Sequence, residues 1–179
     1  MSASDGNAAL PTQTTYERFG QVDVATDSGG KYGYDVGGTV EEYSAGAALN
    51  IGDVVYLSAA NTVNKSLTAA TTLGKLVGVV VGGAKTDMRC ISRKLDVGQQ
   101  AAASGERVLV QVSGKCWAVS DAAVSAGDIL AAGTTTAGRV KTGTITTDLA
   151  AGSSGNIVGN ALELAGGAAV TIMIRLRLM

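Results

Sequence analysis

Apolar and polar residues alternate most strictly at the end of the chain. Val170, Ile172, Ile174, Leu176 and Leu178 interleave with Ala169, Thr171, Met173, Arg175 and Arg177. A period of two predicts a β-strand with one buried face and one face carrying two arginines. Arg107–Val112 predicts a second strand. The two residues Ser113-Gly114 then lead into Lys115–Val119, which reads as a hairpin. Lys75–Val81 is almost continuously apolar and predicts a strand covered on both faces. Asp53–Leu57, Asp128–Ala132 and Asn156–Leu164 complete the main strand set, with Thr86–Arg93 the weakest pattern. Clusters of Gly, Thr, Ser, Asn and Ala separate them, as loops require. Gln99–Ala103 and Asp121–Ser125 have the composition for a turn or two of helix, but neither is long enough for a stable one.

One pattern occurs twice. Ile51-Gly52-Asp53-Val54-Val55 is echoed by Ala126-Gly127-Asp128-Ile129-Leu130, and each is followed by an apolar segment built around Val-Gly. Those segments are Leu76–Val80 and Ile157–Ala161. Gly supplies a turn conformation that other residues resist, and Asp bonds nearby backbone. The echo raises two related β units within one body.

Residues 1–35 break the pattern. They are polar, and only Gln21-Val22-Asp23-Val24 alternates. An extended N-terminal arm is expected there, followed by a β-rich body over 36–179. Of seven aromatic residues, Tyr16, Phe19, Tyr32 and Tyr34 lie in this arm, and Tyr43, Tyr56 and Trp117 lie beyond it. Aromatic residues and arginine are enriched at interface anchors, so Tyr16, Arg18, Phe19, Tyr32 and Tyr34 are the candidate partner-binding residues.

Composition narrows the chemistry. The chain has no histidine, which excludes Ser-His-Asp and Cys-His nucleophiles, imidazole metal ligands and a histidine pH switch. Fourteen basic and fifteen acidic residues nearly cancel, leaving no electrostatic footprint for nucleic acid. Met1–Asn7 has neither the basic run nor the apolar core of a secretory leader, and no apolar stretch is long enough to span a membrane. Synthesis in the cytosol is the expectation, with Cys90 and Cys116 as buried thiols. The sequon at Asn64-Lys65-Ser66 carries no weight without secretion.

Pattern matches to catalytic motifs fail on physics. Asp27-Ser28-Gly29 matches an aspartic-protease triplet, but one copy lacks the second carboxylate and no apolar strand precedes it. Ser28-Gly29-Gly30-Lys31 and Lys141-Thr142-Gly143 match penicillin-recognising motifs, yet the paired glycines disfavour the helix that chemistry needs. Glu41-Glu42 is the only acidic doublet, and adjacent strand residues face opposite sides. No catalytic residue, cofactor site or metal site is expected.

The ordered series Leu49–Leu57, Gly74–Val80, Gly105–Gly114, Ser125–Leu130 and Val158–Leu162, ending in an apolar strand, resembles the capsid decoration (cement, or head-stabilisation) proteins of tailed bacteriophages. The resemblance implies a compact β-barrel or β-tulip-like domain. It implies a homotrimer on the outside of an expanded capsid, with the arm laid on the major capsid protein. It implies no catalytic residue. The alternative is a phage fibre, a baseplate piece or a glycan-binding β module, in which Tyr32, Tyr34 and Trp117 would form an outward aromatic platform.

Overall fold

The computed structural model describes residues 38–67, 76–86, 94–144 and 157–177. The described residues form twelve strands: β1 (Val40–Ala45), β2 (Leu49–Asn50), β3 (Val54–Ala59), β4 (Thr62–Lys65), β5 (Leu76–Gly83), β6 (Gln100–Ala102), β7 (Arg107–Gln111), β8 (Gly114–Val119), β9 (Ile129–Ala132), β10 (Val140–Thr142), β11 (Ile157–Ala161) and β12 (Thr171–Leu176). The sole helical element among them is a 3-10 turn at Lys94–Asp96. The fold is all-β, as expected, and among the described residues no helix is long and apolar enough to cross a membrane.

Strands β1, β4, β3, β5 and β7 close into a barrel. Its seam is parallel, Ser44 facing Thr62 and Ala45 facing Val63, whereas its other ladders are antiparallel. A second five-stranded sheet runs in the order β10-β9-β11-β12-β8, and β2 and β6 form a short separate ladder.

The valine-rich run predicted to be covered on both faces is β5, and it is. Val80 points into the barrel among Val55, Val63, Val108 and Val110. Val79 and Val81 join a second core with Leu130, Val158, Ile172 and Ile174 of the other sheet. All of these residues are essentially inaccessible to water. Valine and alanine dominate the barrel core, with Leu49 and Ile51 its largest buried side chains. This explains why a chain so poor in aromatics still builds a core.

The two sheets repeat one hydrogen-bonding scheme. Gly52 donates its N–H to Val80, and Val80 donates to Asp53; Gly127 donates to Ala161, and Ala161 donates to Asp128. Val55 faces Gly78 as Leu130 faces Gly159. Tyr43 faces Val108 as Ala118 faces Ile172. The parallel seam recurs as a bridge between Ser120 and Val140, the counterparts of Ala45 and Val63. Even the β2–β6 contact has its partner, a bridge between Val124 and Ala165.

Three expectations change. Arg107–Val112 and Lys115–Val119 are strands but not a hairpin. Strand β7 is already paired on both edges, to β1 and β5, so β8 crosses to the other sheet and pairs with β12. The Gln111 amide, buried at this crossing, donates to the carbonyls of Ser113 and Lys115 at 2.8 Å each. Gln99–Ala103 is not a helical turn but contains β6, because burying Ala101 and Ala102 in the barrel outweighs alanine's helical preference. Asp121–Ser125 is likewise not helical, since Val124 is bridged to Ala165. The Thr86–Arg93 pattern lies mostly outside the described residues; Thr86 itself sits in a turn.

Gly78 and Gly159 occupy matching places where two strands cross closely. A Cβ at either would overlap a carbonyl oxygen, that of Gln111 or of Arg175 respectively. Gly166 has open space around it. Gly78→Ala and Gly159→Ala are each expected to cost about 1–3 kcal/mol as backbones are forced apart, against no measurable loss for Gly166→Ala. Thermal unfolding followed by circular dichroism checks this, and equal midpoints for all three would contradict the matched crossings.

Candidate functional site

The most concentrated polar cluster lies where the two sheets meet. The Gly-Asp turn places Asp53 at the start of β3, with its carboxylate accepting the Asn50 N–H at 2.7 Å and the Lys65 ammonium at 3.0 Å. Gly138, from the β9–β10 loop, packs against the same carboxylate, and its N–H donates to the Ser66 carbonyl. Gly138 in turn accepts the Val54 N–H at 2.8 Å, so the loop is stitched into the barrel. Burial pushes the Asp53 carboxyl above its ordinary range, against the opposing pull of the Asn50 N–H, Lys65 and Arg139.

Ser66 completes the cluster. Its hydroxyl is fully buried with no hydrogen-bond partner. A Ser-Lys nucleophile needs an accessible hydroxyl beside a lysine free to take its proton. Here the neighbouring ammonium is held by Asp53, and water does not reach Ser66. The cluster is a joint between sheets.

A second carboxylate performs a comparable task. Asp121, just after β8, accepts backbone N–H groups from Thr134, Thr135 and Thr136 at 2.8–3.1 Å. Burial pushes its carboxyl up, but the three donors together outweigh this and hold it below the usual carboxylate range. Single-sequence reading missed this claw, because only the fold brings Asp121 to the threonine run.

The sequence-derived candidates separate. Tyr16, Arg18, Phe19, Tyr32 and Tyr34 lie outside the described residues, as do the Asp27–Lys31 motifs and Cys90. Glu41 accepts the Tyr43 hydroxyl at 2.6 Å, whereas Glu42 pairs with Arg107, so the doublet splits between two partners. Burial, aided by Glu41, raises the Tyr43 phenol to about 12. In the Lys141-Thr142-Gly143 match, the Thr142 hydroxyl bonds Asp128 and the Gly143 N–H bonds Ile129, which uses the triplet to finish β10. Cys116 is a buried free thiol whose pKa burial pushes up, so it is unreactive. Trp117 is 5% exposed, with the Lys94 ammonium 4.9 Å from its ring centroid. It offers no open aromatic platform. Among the described residues, no group of three or more Cys, Asp or Glu is placed to hold a metal ion.

The outer surface carries two features of a different kind. Lys94 meets Glu163 at 3.3 Å, and beside this pair stand Leu95 and Leu164, 89% and 69% exposed. On the outward face of β8 and β12, Arg175 stands directly opposite Lys115. Sequence reading found the arginine face but not its lysine, because β8 pairs with β12 and not with its neighbour β7.

No family model matches this chain, and no curated protein does. Among solved structures, the chain is similar to the N base of the head fiber gp8.5 of bacteriophage phi29, with a TM-score of 0.45 and 10% identity. The match covers 78% of this chain and 93% of that one.

Two outcomes follow from the cluster geometry. Ser66→Ala is expected to leave stability unchanged or raise it by about 1 kcal/mol, since it removes an unsatisfied buried hydroxyl. A clear loss in a urea titration would show a hydrogen-bonding role for Ser66. The two carboxylates act oppositely with pH. Asp121, lowered in the folded chain, contributes stability that is present above the unfolded value near pH 4 and lost as pH falls through its folded pKa. Asp53, raised in the folded chain, contributes most below that value and less as pH rises through its folded pKa. Asp121→Asn should therefore weaken the protein by about 1 kcal/mol at pH 7 and flatten the acid limb of its stability profile. Asp53→Asn should steepen that limb. Parallel acid limbs in both variants and the wild type would contradict the assignment.

Proposed function

We propose that this protein is a virion structural protein of a tailed bacteriophage, which binds the outer surface of an expanded capsid and cements neighbouring major capsid proteins. The reading rests on the ordered series of turn-and-strand segments, which resembles that of decoration proteins. The repeated Gly-Asp turn, open in Gly127 and packed in Gly52, belongs to that series. The same register supports a body of two related β units, spanning the stretch after the arm.

The role requires no reactive group. Packaged DNA pushes a shell outward, and a protein that bridges capsomers resists by contact area. A standard interface buries roughly 1,600 Å² in total. In a homotrimer three linked arms rebind intramolecularly, so modest contacts combine by avidity. Tyr16, Arg18, Phe19, Tyr32 and Tyr34 supply the anchors on the arm, and the exposed Leu95 and Leu164 add adhesive surface on the body. The glycan-binding alternative loses one of its three platform residues, since Trp117 is buried under Lys94.

Mixing the purified protein with expanded, undecorated shells tests the reading. Saturable binding in multiples of three, with increased resistance of the shells to heat, is expected. Absence of binding with retention on a glycan column would overturn it. Removing residues 1–35 should leave a folded body that no longer attaches, and unchanged attachment would remove the arm from the mechanism.

A further inference from the structure

The matched register of the two sheets extends to positions whose surroundings differ. On the outside of the barrel, Val54, Val79, Val81 and Leu109 are packed into the core shared with the second sheet. The register sets Ile129, Asn160, Leu162 and Met173 at the corresponding places. Val54 faces Val79 as Ile129 faces Asn160. Val81 follows Val80 as Leu162 follows its counterpart Ala161, and Leu109 faces Glu42 as Met173 faces Trp117. Each of the second four adjoins a buried residue, Leu130, Ala161 or Ile172, so alternation puts it on the outer face. The barrel's four are covered, whereas these four are not. Val81 is 1% exposed and Leu162 37%, and Ile129, Asn160 and Met173 are half-buried. A Cβ at Gly52 would meet Val97, but at Gly127 it would meet open space. The Leu162 N–H donates to the Met173 carbonyl at 2.8 Å, which joins these two, and the exposed Leu164 extends them. A stacked repeat ends in a polar outer face when nothing covers it. Here the terminal face is apolar except for Asn160.

The covered face shows what fits such a place. The β9–β10 loop brings Gly138 against Asp53, its carbonyl accepting the Val54 N–H and its N–H donating to the Ser66 carbonyl, at 2.8 Å each. The matching turn of the barrel lies between β3 and β4. Asn61 holds the place of Gly138, since each has a positive φ, 56° and 83°, and each stands two residues before a seam valine, Val63 or Val140. Ala59, Ala60 and Asn61 are small and exposed. The seat is matched too. The Ser66 N–H donates to the Val54 carbonyl as the Gly143 N–H donates to the Ile129 carbonyl, so Asp128, Ile129 and Gly143 correspond to Asp53, Val54 and Ser66. Turn and seat both reach solvent in the single chain. A second copy of the chain is therefore the occupant that carries the complementary surface.

We infer that copies of this protein associate head to tail. The β3–β4 turn of one copy seats between Asp128, Ile129 and Gly143 of the next, and its barrel covers Leu162, Leu164 and Met173. The contact repeats between chains the packing that the β9–β10 loop makes on the barrel within one chain. A non-reciprocal contact of this kind closes into a ring where its rotation permits. It rests on the self-association in the proposed role and names the surfaces that make it. Its test contains no shells, so its failure is distinct from a failure to bind a capsid.

Sedimentation velocity of the full-length protein reads the association. The wild type is expected to sediment as an oligomer at micromolar concentration. Leu162→Glu with Leu164→Glu spoils the face, and Ala59→Glu with Ala60→Glu spoils the turn. All four sites are exposed, and thermal unfolding followed by circular dichroism checks that each variant folds. Each pair of substitutions should weaken association about a hundredfold and leave monomers. Mixing the two variants restores one intact contact and should give a dimer and nothing larger. Hydrogen exchange of the wild type needs no substitution: amides at 59–61 and 162–164 should gain protection together as concentration rises. A wild type that stays monomeric, or a mixture of variants that does, would overturn the inference. A turn variant that assembles while the face variant dissociates would mean a face-to-face pairing and overturn the head-to-tail assignment. Assembly of the face variant at wild-type strength would place the contact elsewhere and overturn it as well.

Discussion

The architecture depends on β5 being buried on both faces. Val80 fills the closed barrel, while Val79 and Val81 fill the core beneath the second sheet. A strand in this position cannot spare a polar side chain on either face. It also runs too close to its neighbour to carry a Cβ at Gly78. The run of valine and glycine in this strand therefore meets two constraints at once: apolar contact in both directions, and close approach of backbones. The same solution recurs at β11, where Gly159 meets the Arg175 carbonyl as Gly78 meets that of Gln111.

Two polar devices keep the sheets in register where apolar packing has no directional preference. Asp53 holds Asn50 and Lys65, and its neighbour Gly138 brings in the β9–β10 loop. Asp121 holds the other end of that loop through three backbone donors. A single loop is thus fastened at both ends by carboxylates, one in each sheet. Hydrogen bonds to an ionised acceptor are the stronger kind, and they fix geometry more tightly than valine contacts do. Carboxylates of this sort do structural work, which fits a protein whose proposed role is adhesion.

Much of the strand content was legible from pattern, and the reasons are local. Strict alternation marked β12, and the continuous apolar run marked β5, with its burial on both faces read correctly. The Gly-Asp echo was legible because the turn needs a positive φ, found at Gly52 and Gly127, and an Asp that bonds the N–H three residues earlier. Short polar strands such as Thr62–Lys65 and Val140–Thr142 carry no such signal, since pairing alone makes them strands. The misread hairpin at Ser113-Gly114 has a clear cause: local turn chemistry cannot report that both edges of β7 are already occupied. The Asp121 claw and the facing of Lys115 and Arg175 were hidden for the same reason, because the fold and not local sequence brings their residues together.

The proposed role requires a body that behaves as one piece, and here the two cores share a strand. Differential scanning calorimetry of the full chain measures this most directly. A single transition whose calorimetric and van't Hoff enthalpies agree is the predicted result, because β5 cannot leave one core without opening the other. Two resolved transitions, one for each sheet, would contradict the claim that β5 joins them into one body.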